Sequence, residues 1–185
     1  QEVQVYSFNT LVASALFDAE GRIVSLKLDE MEVATPNYDG ADMPQFSGFP
    51  GQGGYNNDEN HDGKIEGKTA DTEDQYLAEF DTWKTKRERG DSYKLNSGTW
   101  ASEADVFEKL FVGKTIAEVE DWFAKYTDAN GRPLQAEAKS DEDKAKFSAL
   151  TDDEKKMLED VRTGATISLK DPHGDFITAL KKAYE

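Results

Sequence analysis

Near the C-terminus a bare stretch, "DVRTGAT", runs from Asp160 to Thr166 and ends on a hydroxyl. Two readings compete for it. In the first it is the end of a helix that starts at the capping box of Thr151 and Glu154 and carries Met157, Leu158 and Val161 on its apolar face. Gly164 then sits past the helix end, in the left-handed conformation glycine tolerates best. In the second, the last threonine is there to be modified, and its small neighbours Gly164 and Ala165 matter for that.

Other residues offer weaker chemistry. "FVGKT" at 111–115 has the tail of a phosphate-binding loop, but Glu108 stands where that loop needs a glycine, so the segment reads as a helix-to-helix turn. His61 and His173 are far apart and each has glycine and aspartate nearby, which gives a histidine triad or two-histidine zinc site little to work with. "DENHDGKIEGKT" places Asp58, Asn60, Asp62, Gly63 and Ile65 as in the opening of a calcium loop, yet Thr69 occupies the closing position that calls for a glutamate. Asp58, Asn60 and Asp62 are therefore weak divalent-cation candidates, with Glu66 or Asp71 as substitutes, against a plain solvated acidic turn. No pair of carboxylates stands out as a glycosidase pair.

The elements that must position these groups follow from periodicity. From Val5 to Val33 residues alternate on either side of "DAEG": Val12, Ser14 and Leu16 share a side, and Val24, Leu26 and Leu28 alternate with Ser25, Lys27 and Asp29. The pattern predicts a β-hairpin with Gly21 in the turn. Residues 35–70 hold three of the five prolines and predict a loop insertion, about 34–71, too long for an idle connection. Helices follow. Thr72 and Gln75 open one through Tyr76, Leu77, Phe80 and Trp83, closed by Gly90. Ser102 precedes Val106, Phe107, Leu110 and Phe111, closed by Gly113, and Thr115 with Glu118 precedes Val119, Trp122, Phe123 and Tyr126. A last helix aligns Phe176, Ile177, Leu180 and Tyr184. The segments "RGDSYKLNSG" and "TGATISL" are candidates for further strands pairing with the hairpin. Together these predict an α+β fold: an antiparallel β-hairpin or small sheet packed with several helices, in a single domain over 1–185.

Composition bounds the partners. The 185 residues are 37% apolar and include ten Phe, seven Tyr and three Trp, enough for one real core. With 38 acidic against 22 basic residues the formal charge is −16, which opposes nucleic-acid phosphates and anionic lipid alike. No cysteine is present, so disulfides, thiolate metal sites and cysteine nucleophiles are excluded, a composition that suits an exported bacterial protein. No apolar run approaches the roughly 20 residues of a membrane span. The opening "QEVQVYSF", without methionine or signal segment, reads as the start of a mature or trimmed chain.

Asp160, Thr163, Gly164, Ala165 and Thr166 fill every defined position of the flavinylation motif of the FMN-binding-domain family, which the sequence resembles. The likeness extends to "VYSFNTLVASALFDAEGRIVSLKLDEMEVATPNYDG", "NSGTW", "FEKLFVGKT" and "DPHGDFITALKKAYE". These are similar to the larger version of the domain, found in exported lipoproteins of Gram-positive extracellular electron transfer. The smaller members of the family lack the long insertion.

The resemblance implies FMN joined covalently, through its phosphate, to the Thr166 hydroxyl by a dedicated FMN transferase. Magnesium is a candidate participant in the attachment. A transferase must grip the main chain closely, and Gly164 and Ala165 remove the bulk that would prevent it. Asp160 would orient the segment or help to place the hydroxyl or magnesium. Ser168 joins the cofactor-binding set. Backbone N–H groups around Gly174 and Asp175, or the cations Arg162, Lys170 and His173, would stabilise the phosphodiester's negative charge. Trp100 in "NSGTW" and Tyr38 in "TPNY", both read as loop residues, would lie against the isoalloxazine ring. The implied role is that of an electron carrier more than an enzyme, taking electrons from a membrane quinol system to external acceptors such as ferric iron. Its implied location is extracellular, anchored to the membrane or the cell wall; the lipid-bearing cysteine of exported members has no counterpart in this sequence. The alternative from another class is a calcium-stabilised extracellular binding module without flavin. A hydrolase using acidic residues is a third.

Overall fold

A computed structural model describes residues 7–34, 44–46, 55–57, 66–68, 72–95, 97–171 and 174–185. Tyr38, Asp58, Asn60, His61, Asp62 and His173 lie outside them. In chain order the elements are β1 (Ser7–Phe17), β2 (Ile23–Ala34), β3 (Tyr55–Asn57), β4 (Glu66–Lys68), α1 (Glu73–Asp81), α2 (Lys86–Arg89), β5 (Lys94–Leu95), β6 (Gly98–Thr99), α3 (Trp100–Phe111), α4 (Ile116–Tyr126), α5 (Asp141–Ser148), α6 (Asp152–Gly164), β7 (Lys170–Asp171), β8 (Gly174–Asp175) and α7 (Phe176–Tyr184). The chain is α+β, as its periodicity predicts. It divides into two compact units, residues 1–10 with 30–92, and residues 11–29 with 93–185. No helix among the described residues is long and apolar enough to cross a membrane.

The second unit holds the main core. Leu11, Ala13, Ala15 and Phe17 of β1 pack against it while Val12 and Leu16 face outward, so the face predicted from Val12, Ser14 and Leu16 is the solvent face. On β2 Ile23, Leu26 and Leu28 are buried but Val24 is exposed, because Val24 and Ser25 both face out and the alternation restarts after them. The hairpin turn is built on Asp18, whose carboxylate accepts from the N–H groups of Glu20 and Arg22, with Gly21 at φ +75°. Arg22 bridges to Thr115, and the Gly113 N–H donates to the Ile23 carbonyl at 2.8 Å. "FVGKT" is thus a helix-to-helix turn clamped to the hairpin, and Glu108, where a phosphate-binding loop would have glycine, is a buried tether: it accepts from the Leu28 N–H and from the Lys27 ammonium, both at 2.8 Å.

The helices of this unit present their aromatics inward. Trp100, Ala104, Phe107 and Phe111 of α3, Val119, Trp122 and Phe123 of α4, Leu158 and Val161 of α6, and Phe176 and Leu180 of α7 form one cluster. Fully burying each large side chain contributes about 1.5–3 kcal/mol. The starts of α4 and α6 are capping boxes at Thr115 with Glu118 and Thr151 with Glu154, as predicted. The start of α3 lies earlier than predicted: Thr99 is the cap and Ser102 its reciprocal partner, so the helix begins at Trp100.

In the first unit the single helix predicted between Thr72 and Gly90 is two. Thr85 and Glu88 form a capping box of their own, which starts α2 and ends the run after Asp81. Trp83, freed from the helix, donates its indole N–H to the Gln45 carbonyl at 2.9 Å and meets Phe8, Phe46 and Phe80 edge to face. The Lys86 ammonium lies 2.8 Å from Glu30 and 3.3 Å from Glu32, with all three side chains nearly buried. Within the long insertion β3 and β4 pair antiparallel, Tyr55 opposite Lys68, so strands flank the calcium-like residues where a helix-loop-helix site needs helices.

Each sheet among the described residues has two strands. The predicted partners of the hairpin do not join it: Lys94 and Leu95 pair with Thr99 and Gly98, and the "TGATISL" segment enters no strand ladder.

Candidate functional site

The last turn of α6 includes Gly164, and Ala165 is its C-cap, with extended dihedrals of −152° and 122°. Gly164 is absent from the positive-φ glycines, so the predicted left-handed helix stop is not used. Its role is steric. A Cβ on Gly164 would lie 2.9 Å from Cγ2 of Val106 on α3, so only glycine lets the end of α6 approach α3 at this distance. Ala165, the next residue, is fully buried.

From Ala165, itself extended, burial alternates: Ala165, Ile167 and Leu169 are buried, Thr166 is exposed and Ser168 half-buried. That is the burial signature of a strand, which explains why the sequence reads as one, yet among the described residues no neighbouring strand accepts from its N–H groups. A side chain does instead. Glu103 of α3 is fully buried, and its Oε2 accepts from the Thr166 N–H at 2.5 Å and the Ile167 N–H at 3.0 Å. The Thr166 hydroxyl donates to the same Oε2 at 3.0 Å. One carboxylate oxygen therefore satisfies two backbone donors that would otherwise be left without a ladder, and it also holds the hydroxyl. Its other oxygen, Oε1, is buried without a hydrogen-bond partner among the described residues.

Glu103 was not singled out from the sequence. The signal existed: it falls on the helical stripe of Trp100, Ala104, Phe107 and Phe111, where an acid is out of place unless it has buried partners.

Thr166 also lines a cavity of about 490 Å³, within the range of small-molecule sites. Arg162 and Ala165 form one side, and Asn130, Arg132 and Gln135 of the preceding loop form another. The loop is folded on Asp128, whose carboxylate accepts from the Asn130 and Arg132 N–H groups at 2.9 Å. Arg162 reaches across and donates to the Gln135 side-chain carbonyl. Ser168 donates to the Asn130 carbonyl, tying the extended segment to the same loop.

The remaining sequence candidates divide. Asp160 is exposed on α6, its carbonyl accepting from the Thr163 hydroxyl at 2.7 Å, and the residue that touches the Thr166 hydroxyl is Glu103, not Asp160. Trp100 is not a loop residue: it opens α3, is only 3% exposed and lies with its ring 6.0 Å from that of Phe176, so its faces belong to the core. The N–H groups at the start of α7 are taken by Asp175, the N-cap, which accepts from Ile177 at 2.9 Å and Thr178 at 3.0 Å. Lys170 lies 3.7 Å from the same Asp175. Both are thereby engaged with a carboxylate instead of being offered to a phosphate. Arg162 is the proposed cation that shares a cavity with Thr166. Tyr38, His173 and the Asp58, Asn60 and Asp62 group lie outside the described residues. Among those described, no group of three or more acids and histidines is placed to hold a metal ion.

The chain is 41% identical to chlorophenol reductase of Desulfitobacterium hafniense, an alignment that covers 97% of this chain and 51% of that protein. It thus spans about half the length of the curated relative it matches. No family model matches the chain, and no solved structure matches it. The likeness to FMN-binding domains accordingly rests on the sequence motifs.

Proposed function

We propose that this chain is an electron-transfer module carrying FMN through a phosphodiester on the Thr166 hydroxyl. The observation that carries the reading is the placement of Thr166: exposed, in the lining of a cavity, with its hydroxyl held by a buried carboxylate. The residues present fit such a group. The cavity has room for an aromatic ring system, the amides of Asn130 and Gln135 offer polar partners, and the Arg162 guanidinium supplies a cation for the phosphate. FMN, when bound, supplies one- and two-electron transfer.

The chain's own part is to fix the attachment point, shield one side of the cofactor and set its electrostatic surroundings. A covalent link suits a carrier working outside the membrane, where a lost cofactor is not recovered. In this reading an FMN transferase attaches the flavin, electrons arrive from a membrane quinol system, and acceptors such as ferric iron remove them. Anchoring to the membrane or cell wall belongs to the same proposal. The relative's name, a reductase, supports a redox role; its substrate is not carried over to a chain that spans half of it.

The test is intact mass after co-expression with an FMN transferase, beside Thr166→Ala. The native chain is expected to gain one covalently held FMN and the variant none. No gain on the native chain, with the transferase active on a known acceptor, overturns the reading.

A further inference from the structure

We infer that Glu103 is the proton acceptor for modification of Thr166, so that the acceptor chain carries part of the catalytic apparatus for its own flavin attachment. The inference rests on the proposed function above. Its physical basis is independent of the motif, because nothing in "DVRTGAT" points to a residue 63 positions upstream.

Three observations converge. The Thr166 hydroxyl donates to Glu103 Oε2 at 3.0 Å, within the reach required of a general base. With its proton turned inward to Glu103, the hydroxyl oxygen has its lone pairs available on the exposed side, where a phosphoryl donor arrives. Two backbone N–H groups hold the same Oε2 in place at 2.5 and 3.0 Å, so the base is fixed against α3 and the segment before any enzyme binds. Finally, Oε1 is buried with no partner among the described residues. A buried acceptor left without a donor is costly, so backbone tethering alone does not account for this carboxylate.

The step balances as follows. Thr166 Oγ1 attacks the flavin-side phosphorus of a flavin dinucleotide. The new Oγ1–P bond forms, the bond from that phosphorus to the bridging pyrophosphate oxygen breaks, and the nucleoside monophosphate leaves with the electron pair. The hydroxyl proton passes along its hydrogen bond to Glu103 Oε2, which leaves the acid neutral. Thr166 becomes a phosphodiester anion next to a neutral acid, which avoids two adjacent negative charges.

The experiment follows labelling of the full chain by a purified flavin transferase with flavin dinucleotide and magnesium, read by intact mass against time. Native protein, Glu103→Gln and Glu103→Asp are compared at varied acceptor concentration. Glutamine keeps an oxygen for the two N–H groups but cannot take the proton. It is expected to leave KM for the acceptor protein unchanged and to lower kcat by about 100-fold or more. Labelling of Glu103→Gln within about threefold of native overturns the inference while leaving the attachment site intact. Should Glu103→Gln fail to fold, judged by circular dichroism and melting, Glu103→Asp decides. It keeps the charge but is one methylene short of the hydroxyl, and labelling at the native rate overturns the inference, whereas a loss of about tenfold or more supports it. A native chain that gains no flavin withdraws the inference together with the function it rests on.

Discussion

At the scale of single residues, the small side chains of "TGAT" have a reason inside the fold. Gly164 allows α6 to end against Val106, and that approach brings the Thr166 and Ile167 N–H groups to Glu103. Alanine at 164 would gain about 1 kcal/mol of helix propensity. A β-branched valine in a helix has little rotamer freedom with which to give way, so its Cγ2 stays where the new methyl must go. Gly164→Ala is therefore expected to destabilise the protein by about 1–2 kcal/mol net. The double variant with Val106→Ala should recover most of this coupling in a urea-denaturation cycle. Additive losses would show that the contact is not what demands glycine. Access for a transferase and close packing are compatible demands on the same residue, and only the second is tested by stability.

At the scale of elements, α6 is held at both ends by glutamates, one of which should be visible in the pH dependence of stability. Glu154 caps α6 through Thr151 and also accepts from the Lys125 ammonium at 2.5 Å and the Tyr126 hydroxyl at 2.7 Å, both on the last turn of α4. The Lys125 hydrogen bond, then those of Thr151 and Tyr126, hold its carboxyl down at about 2, from an ordinary 4.5. Because the folded value is depressed, the stabilising contribution is present above about 4.5 and is lost as the pH falls through about 2. Comparing native protein with Glu154→Gln by urea midpoint, the native advantage should be full near about pH 7 and clearly smaller by about pH 3. A gap that does not change over this interval would mean that the charge contributes nothing beyond the shape of the side chain. The capping boxes at Thr115 and Thr151 were readable because their partners lie three residues apart; the division between α1 and α2 was not, because two overlapping start signals compete and Trp83 leaves the helix for the Gln45 carbonyl.

At the scale of the whole molecule, 38 acids against 22 bases create a net repulsion that the exposed ion pairs only partly offset. Salt screens repulsion between distant surface charges and leaves the buried tethers of Glu103 and Glu108 largely untouched. The melting temperature is expected to rise by a few degrees between roughly 20 and 300 mM sodium chloride. A fall would show that attractive surface pairs such as Lys181 with Glu120 and Lys125 with Glu154 outweigh the net charge.

The sequence by itself determined what depends on neighbours along the chain. The hairpin and its Gly21 turn, the caps at Thr115 and Thr151, the helix-to-helix turn at Gly113 and the α+β class follow from period and cap chemistry, and the candidacy of Thr166 from the resemblance to a flavinylation motif. The tertiary structure decided what depends on residues distant in sequence. It turned Val12 and Leu16 outward, placed Trp100 in the core, and closed the start of α7 with Asp175. It gave the 165–169 segment a carboxylate from α3 in place of a strand partner. A strand-like burial pattern shows that backbone donors need acceptors but not which group supplies them; that is settled only when packing brings Glu103 and Thr166 together.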